Sequence, residues 1–387
     1  MSWRKTGSLF VSSLLLVLLL AASALAVSRT AKVPELTLNW LALVLAVVST
    51  GAVSVSLLRK VKQPITGSRP AKRRWYSFSA TVFGFCALMP LAVWAAVRLP
   101  GPMGTGPASA TLAADPFIET WSARPVVLLS LGDSVSTGFG APEGRGYVAM
   151  LARNHDEAYP DMKGRELKRV LPALELRREA VNSSNSIDHL RTIRELKPYP
   201  EGTFGIVCIT TGGIDLIHNY GRGTPKEGAM YGADATTARP WIDNFERRLD
   251  EMMNVLLGVF PGGCAVFIAT IYDPTDGVGD IENAGIVGVL PAWADGLEIH
   301  TEFNNRIRAI AARHDHAFVV DLHAVMLGHG IHCRDNDNPF YDANDPTYWY
   351  YVNLEDPNER GYDAIRREFL RRIVEAMRAQ PAFDVPS

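Results

Sequence analysis

Cysteine is scarce, with four residues in a chain of 387, and no two stand at the C-x-x-C spacing of a zinc site. Cys86 lies in an apolar run, Cys208 and Cys264 in expected buried strands, and Cys333 in a loop. A disulfide is open to them outside the cytosol, but the sequence pairs none of them. A basic surplus is also missing. The chain holds 39 Lys+Arg against 41 Asp+Glu, which argues against nucleic acid as a partner, since that partner needs a basic footprint. No internal repeat is apparent, and the composition is that of a globular protein. Acid is almost absent from the first 100 residues, which contain twelve Lys/Arg and Glu35 alone as an acid. The remainder has 27 basic and 40 acidic side chains, an excess of 13 negative charges. A basic, apolar head before an acidic body reads as a membrane segment followed by a soluble domain.

The head contains three apolar runs, over residues 8–27, 36–58 and 78–97. Each has the length of about 20 residues that crosses a hydrocarbon core. The bilayer is thus an expected partner of residues 1–98. The first run has two readings. Arg4 and Lys5 precede it and Ala24-Leu25-Ala26 is similar to a signal-peptidase site, so it is either a cleaved signal or a retained anchor. The loop between the second and third runs carries Arg59, Lys60, Lys62, Arg69, Lys72, Arg73 and Arg74, whereas Arg29 and Lys32 are the only bases between the first two. The bias of positive charge toward the cytoplasm puts residues 59–77 inside and everything after residue 97 outside. Residues 99–120 begin LPGPMGTGPASATLAA, a composition that predicts a flexible linker. The soluble domain is expected over 121–387.

Strands and helices alternate from residue 125. A continuous apolar run over 126–131 predicts a strand buried on both faces, and further strands are predicted at 176–181, 205–211, 264–271 and 317–322. Helical spacing predicts helices at 146–159, 238–260, 298–313 and 360–378, the second stopped by Pro261-Gly262-Gly263. This alternation specifies an α/β fold, a parallel sheet with helices on both faces. Functional sites in such sheets lie at the carboxyl ends of the strands.

Leu131-Gly132-Asp133-Ser134 follows the first strand and opens a helix. A serine at a strand end, beside a helix N-terminus, has the exposure a nucleophile needs, although an isolated G-D-S is otherwise just a serine N-cap. Four segments together change that balance. GDSVSTGFGA, VNSSNSIDHL (181–190), TTGGIDLI (210–217) and NLEDPNERGYDAI (353–365) follow one another along residues 126–378. In this order the domain resembles the SGNH/GDSL ester hydrolases. The resemblance implies a three-layer flavodoxin-like fold and hydrolysis of an ester or thioester by Ser134, without a cofactor. It also implies an oxyanion and substrate site built from Gly132, Asp133, Ser184, Gly213 and Ile214.

The chain departs from the family's pattern at three places. Ser184 stands for the glycine of the second block, and any residue but proline keeps the backbone N–H used there. Ile214 stands for the asparagine of the third block and cannot donate, a loss that typically costs about 10²–10³ in rate. In the last block Asn353 and Asp356 replace the family's Asp and His. A carboxylate with a pKa near 4 is poorly matched to general-base work at neutral pH unless burial raises it. His332, in GHGIHC together with His329, is therefore the expected base, with His218 as a lesser candidate.

Two loops stand out. Residues 335–351 mix acids with Phe340, Tyr341, Tyr348, Trp349, Tyr350 and Tyr351, a composition that suits sugar rings but more often packs a loop. Asp273, Asp276, Asp280 and Glu282 lack the regular spacing of a calcium loop and read as solvated. The expectation is a membrane-anchored, extracytoplasmic serine esterase acting on a small-molecule or glycan ester, such as an acyl group of an envelope glycan or lipid. Its rival is a non-catalytic domain of the same fold that binds glycan or protein.

Overall fold

The structure, a computed structural model, describes residues 103–379 apart from 109–110, 219, 285–289 and 352. The three apolar runs, the processing site and the charged loop lie outside the described residues, as does Cys86. Among the described residues no helix is long and apolar enough to cross a membrane.

Five parallel strands form one sheet: β1 Val126–Leu131, β2 Leu174–Arg178, β3 Phe204–Ile209, β4 Cys264–Ala269 and β5 Ala317–Val320. Their order is β2-β1-β3-β4-β5, the flavodoxin-like order that the resemblance implies. Three central strands, β1, β3 and β4, are buried at every residue, which is why each reads as an unbroken apolar run. Side chains alternate between the faces. Val126 and Leu128 join one apolar cluster, and Val127, Leu129 and Leu131 join the other.

Nine described α-helices follow in chain order: α1 Ser134–Thr137, α2 Tyr147–Ala152, α3 Leu167–Val170, α4 Ser186–Glu195, α5 Gly213–Ile217, α6 Ala235–Val259, α7 Gly296–Arg313, α8 Leu322–Met326 and α9 Glu359–Ala379. The first cluster is filled from α2, α3, α8 and α9, with Tyr147 stacked on Phe369 at 4.7 Å between centroids. The second is filled from α4, α6 and α7, where Phe245 meets Phe303 at 4.4 Å. Helices thus cover both faces, and β1 and β3 run in register to Leu131 and Ile209, so their following loops open at the same level. That level is where the candidate site lies.

Three expectations are corrected. The helix expected over 146–159 stops at Ala152, because the Asn154 Nδ2 donates to the Tyr159 carbonyl and its N–H donates to Glu166 Oε2, folding the chain back. The strand expected over 176–181 lies two residues earlier, since Val126 pairs with Leu174 at the start of β1. The stretch read as a flexible linker is, in its described part, docked. The Gly104 N–H donates to the Tyr348 carbonyl, the Ala108 N–H donates to Asp363 Oδ2 at 2.7 Å, and Phe117 is buried.

Candidate active site

The site starts from the turn that ends β1. Gly132 has φ +127°, and a Cβ there would overlap the carbonyl oxygen and hydroxyl of Thr210 on the neighbouring strand. The close approach brings the ends of β1 and β3 together. Asp133 then caps α1, its Oδ1 accepting from the Val135 N–H at 3.1 Å and the Thr210 hydroxyl at 2.9 Å. Ser136 continues the network, bonded to both the Tyr147 and Thr210 hydroxyls. Held between these, Ser134 is the first residue of α1 and lines a cavity of about 150 Å³.

The cavity runs along the carboxyl ends of β1, β3 and β4. Its walls are mostly apolar, with Ile214, Leu216, Ile271, Leu290 and Trp293 among them. Polar groups enter at Asp133, Thr210, Glu355 and, from α7, His300. Sites for small molecules have this character, a greasy pocket with a few placed polar groups.

Carboxyl groups crowd the Ser134 end. Asp356 is buried, and Asn353 holds it from both sides: Asn353 Nδ2 donates to Asp356 Oδ2 at 2.6 Å, and the Asp356 N–H donates to Asn353 Oδ1 at 3.2 Å. Burial pushes the Asp133 carboxyl up to about 7, and the charge of Asp356 adds to this against the Thr210 hydrogen bond. Burial likewise pushes Glu355 up to about 8, with Asp356 and Asp133 contributing. The Tyr272 hydroxyl donates to the Glu355 carbonyl and fixes this loop against β4. Three acids therefore share one poorly solvated corner, and Asp133 and Glu355 retain protons at pH values where exposed carboxyls have lost them.

The other predicted residues fall into place differently. Gly213 and Ile214 line the cavity at the start of α5, and a Cβ on Gly213 would stand 3.7 Å from Asp133 Oδ2. By helix geometry the first-turn N–H groups of α1 and α5 have no intrahelical partner. Ser184 does not line the cavity. Its N–H donates to the Val181 carbonyl at 3.2 Å, and its hydroxyl contacts His189 Nε2 at 2.8 Å. The left-handed backbone of this turn, φ +62°, falls on Ser183, one residue before the position matched to the family's glycine. Burial lowers the pKa of His189 to about 4, so it is a neutral spacer between Ser184 and Thr211.

His332 is corrected as the expected base. Its Nε2 lies 3.0 Å from Asp280, its N–H donates to Asp276, and its side chain lines no part of the cavity. His218 caps the end of α5, exposed and equally outside. His329 stacks flat on Trp349 at 3.4 Å. The aromatic loop packs rather than presents a face: Tyr348, Trp349, Tyr350 and Tyr351 are all buried. Nor is the acid cluster solvated throughout. Asp276 is buried and accepts backbone N–H groups from Gly328, Gly330 and His332, while burial raises it to about 6. Asp273 is also buried, accepting from Thr275 and Gly277. Cys208, Cys264 and Cys333 are all buried, and Cys208 and Cys264 are free thiols.

Glu355, Tyr272, Thr210 and His300 escaped the sequence reading. Glu355 and Thr210 lie inside recognised blocks, so adjacency was a usable signal. Tyr272 and His300 lie between blocks and carried none.

No family model matches the chain, and no curated protein matches it. Solved structures do. A lipolytic protein of the G-D-S-L family from Veillonella parvula is 14% identical, with 64% of this chain and 97% of that one covered and a TM-score of 0.38. An acetylxylan esterase from Geobacillus stearothermophilus is 16% identical over 66% and 96%, with a TM-score of 0.39. A phospholipase A1 from Streptomyces albidoflavus is 19% identical over 66% and 99%, with a TM-score of 0.38. These are proteins to which the chain is similar, and the sheet order and the placement of the motifs stand apart from them. With strands in the order β2-β1-β3-β4-β5, Ser134 after β1, the third block after β3 and the last block before α9, the described domain has an SGNH/GDSL hydrolase fold.

Proposed function

We propose that this domain is an ester hydrolase that uses Ser134 as nucleophile and is anchored by the apolar head to the outer side of a membrane. One observation carries the catalytic part: Ser134 opens into an apolar cavity with a buried carboxyl cluster at its back. The Ser134 hydroxyl attacks the acyl carbonyl while its proton passes to the Asp356 carboxylate, which Asn353 orients. Asp356 is the acceptor this corner offers, held by Asn353 and lying among the acids beside Ser134. The Ser134 N–H and a first-turn N–H of α5, at Gly213 or Ile214, take the developing oxyanion. The alcohol leaves with the proton from Asp356, giving an acyl-serine. Water then attacks and loses a proton to Asp356, which returns it to the Ser134 oxygen as the acid is released. None of these steps calls on a cofactor.

The apolar walls suit an acyl chain rather than a bare acetyl group, and the charge pattern of the head supports a domain lying beside envelope lipids and acylated glycans. The substrate class that follows is an acyl ester of such a lipid or glycan. A second reading, a non-catalytic domain binding glycan or protein, draws on the absence of an imidazole partner at position 356.

A fluorophosphonate probe separates the two. It should label the intact chain at Ser134, with no label on Ser134→Ala, a strong loss on Asp356→Ala and little change on His332→Ala. A folded protein that takes no label and cleaves no octanoyl ester removes the esterase reading and leaves the binding domain.

A further inference from the structure

His300 projects from α7, is 8% exposed, and lines the cavity. Its Nε2 lies 2.8 Å from the Ile271 carbonyl oxygen, a contact that requires the proton on Nε2. Asn304 fixes that frame, accepting the Ile271 N–H on Oδ1 at 2.7 Å and donating Nδ2 to the same carbonyl at 2.9 Å. In the neutral ring Nδ1 therefore holds a lone pair. Burial lowers the pKa of His300 and keeps it neutral, against the opposing charge of Asp273; the His323 ring stands 5.1 Å away. Buried as it is, Nδ1 has no hydrogen-bond partner among the described residues.

Several other polar groups of the wall do not share this condition. Thr210 bonds Asp133, Thr211 bonds His189, and Tyr231 donates to the Pro291 carbonyl. Asp273 is occupied by Thr275 and Gly277. A second orphan is the Tyr220 hydroxyl, which is also buried, lines the same cavity and has no partner among the described residues. An unpaired buried acceptor is costly, and both residues belong to a wall otherwise built largely of hydrocarbon.

We propose that His300 is a specificity residue: its Nδ1 accepts a hydrogen bond from a hydroxyl carried on the substrate's acyl chain, so the cavity selects hydroxylated acyl groups. The word substrate rests on the esterase reading; the binding preference does not. Ser134 follows β1 and Ile271 follows β4, with β3 between them, so the two ends of the cavity are separated by two strand spacings, roughly 10 Å. The hydroxyl thus sits well along the chain rather than next to the carbonyl. Tyr220 offers a hydroxyl to the same ligand group or to one nearby.

The test is binding of uncharged ligands, which avoids repulsion by the acids beside Ser134. Octanamide and a set of hydroxyoctanamides, with the hydroxyl moved stepwise along the chain, are titrated calorimetrically into the full chain in lipid nanodiscs. At least one positional isomer should bind about fivefold to tenfold tighter than octanamide. His300→Phe, checked for fold by circular dichroism, should lose that preference while still binding octanamide. If no isomer outbinds octanamide in the unaltered protein, or if the preference survives in folded His300→Phe, the inference is overturned. A preference that holds in Ser134→Ala, and in a protein that no fluorophosphonate labels, supports the inference and sinks only the esterase reading.

Discussion

Asp133→Asn removes a titrating group from the carboxyl corner and keeps its shape. The asparagine Oδ1 can still accept from Val135 and Thr210, so the cap of α1 survives. What disappears is the cost of ionising an acid that is 5% exposed. Burial first, then the charge of Asp356, moves that acid from 3.8 to about 7. Moving from 3.8 to about 7 corresponds to an upper bound of about 4 kcal/mol. The sign follows from proton counting: between pH 3.8 and about 7 the folded chain keeps a proton that the unfolded chain releases, so stability falls as pH rises through that window and is fully present only below it. The asparagine variant has no such loss. Urea unfolding of the intact chain, followed by intrinsic fluorescence, should give near-equal stabilities for the two proteins at about pH 4. At about pH 8 the variant should be more stable by about 2–4 kcal/mol. Parallel pH dependences, with no gain for the variant at the higher pH, would refute the claim that Asp133 is a high-pKa acid.

Ile214→Asn should raise hydrolysis of an octanoyl ester, because an amide then faces the developing oxyanion; one such donor is typically worth about 10²–10³ in rate. Ile214 is 6% exposed, so the variant's unfolding midpoint is measured beside its kcat, and a folded variant with no gain would place the oxyanion elsewhere. For the topology of the head, an impermeant thiol reagent on intact cells should modify a cysteine placed at Ser109 and spare one placed at Ser68. The reverse pattern would put the domain inside and remove the envelope substrate.

The parts of the fold that show in the sequence are those whose burial is local in pattern. β1 matches its apolar run residue for residue, and α6, α7 and α9 lie within a few residues of their periodic stretches. The misses share a cause, a partner far away in sequence. Docking of residues 103–117 depends on Tyr348 and Asp363, and the end of α2 depends on Glu166. In the site, the position of Ser134 could be read from a strand followed by a turn. The partners of His332 and of the Ser184 N–H could not, because a hydrogen bond obeys distances that spacing along the chain does not encode. His300 is hidden for the same reason: on α7 it is one polar residue among several, and its Nδ1 becomes exceptional only when folding buries it without a partner among the described residues.

The Gly132 turn bears on how signatures of this kind are read. Its backbone is left-handed and its missing Cβ is the space occupied by Thr210, so the glycine is required to join two strands whether or not Ser134 ever attacks a substrate. Asp133 likewise serves as a helix cap. Two of the three letters of G-D-S are thus retained by architecture, and a lineage that lost its chemistry would shed them last. In a chain of this fold the three-residue string dates the scaffold; the groups behind the serine, here Asn353, Glu355 and Asp356, record whether it still works.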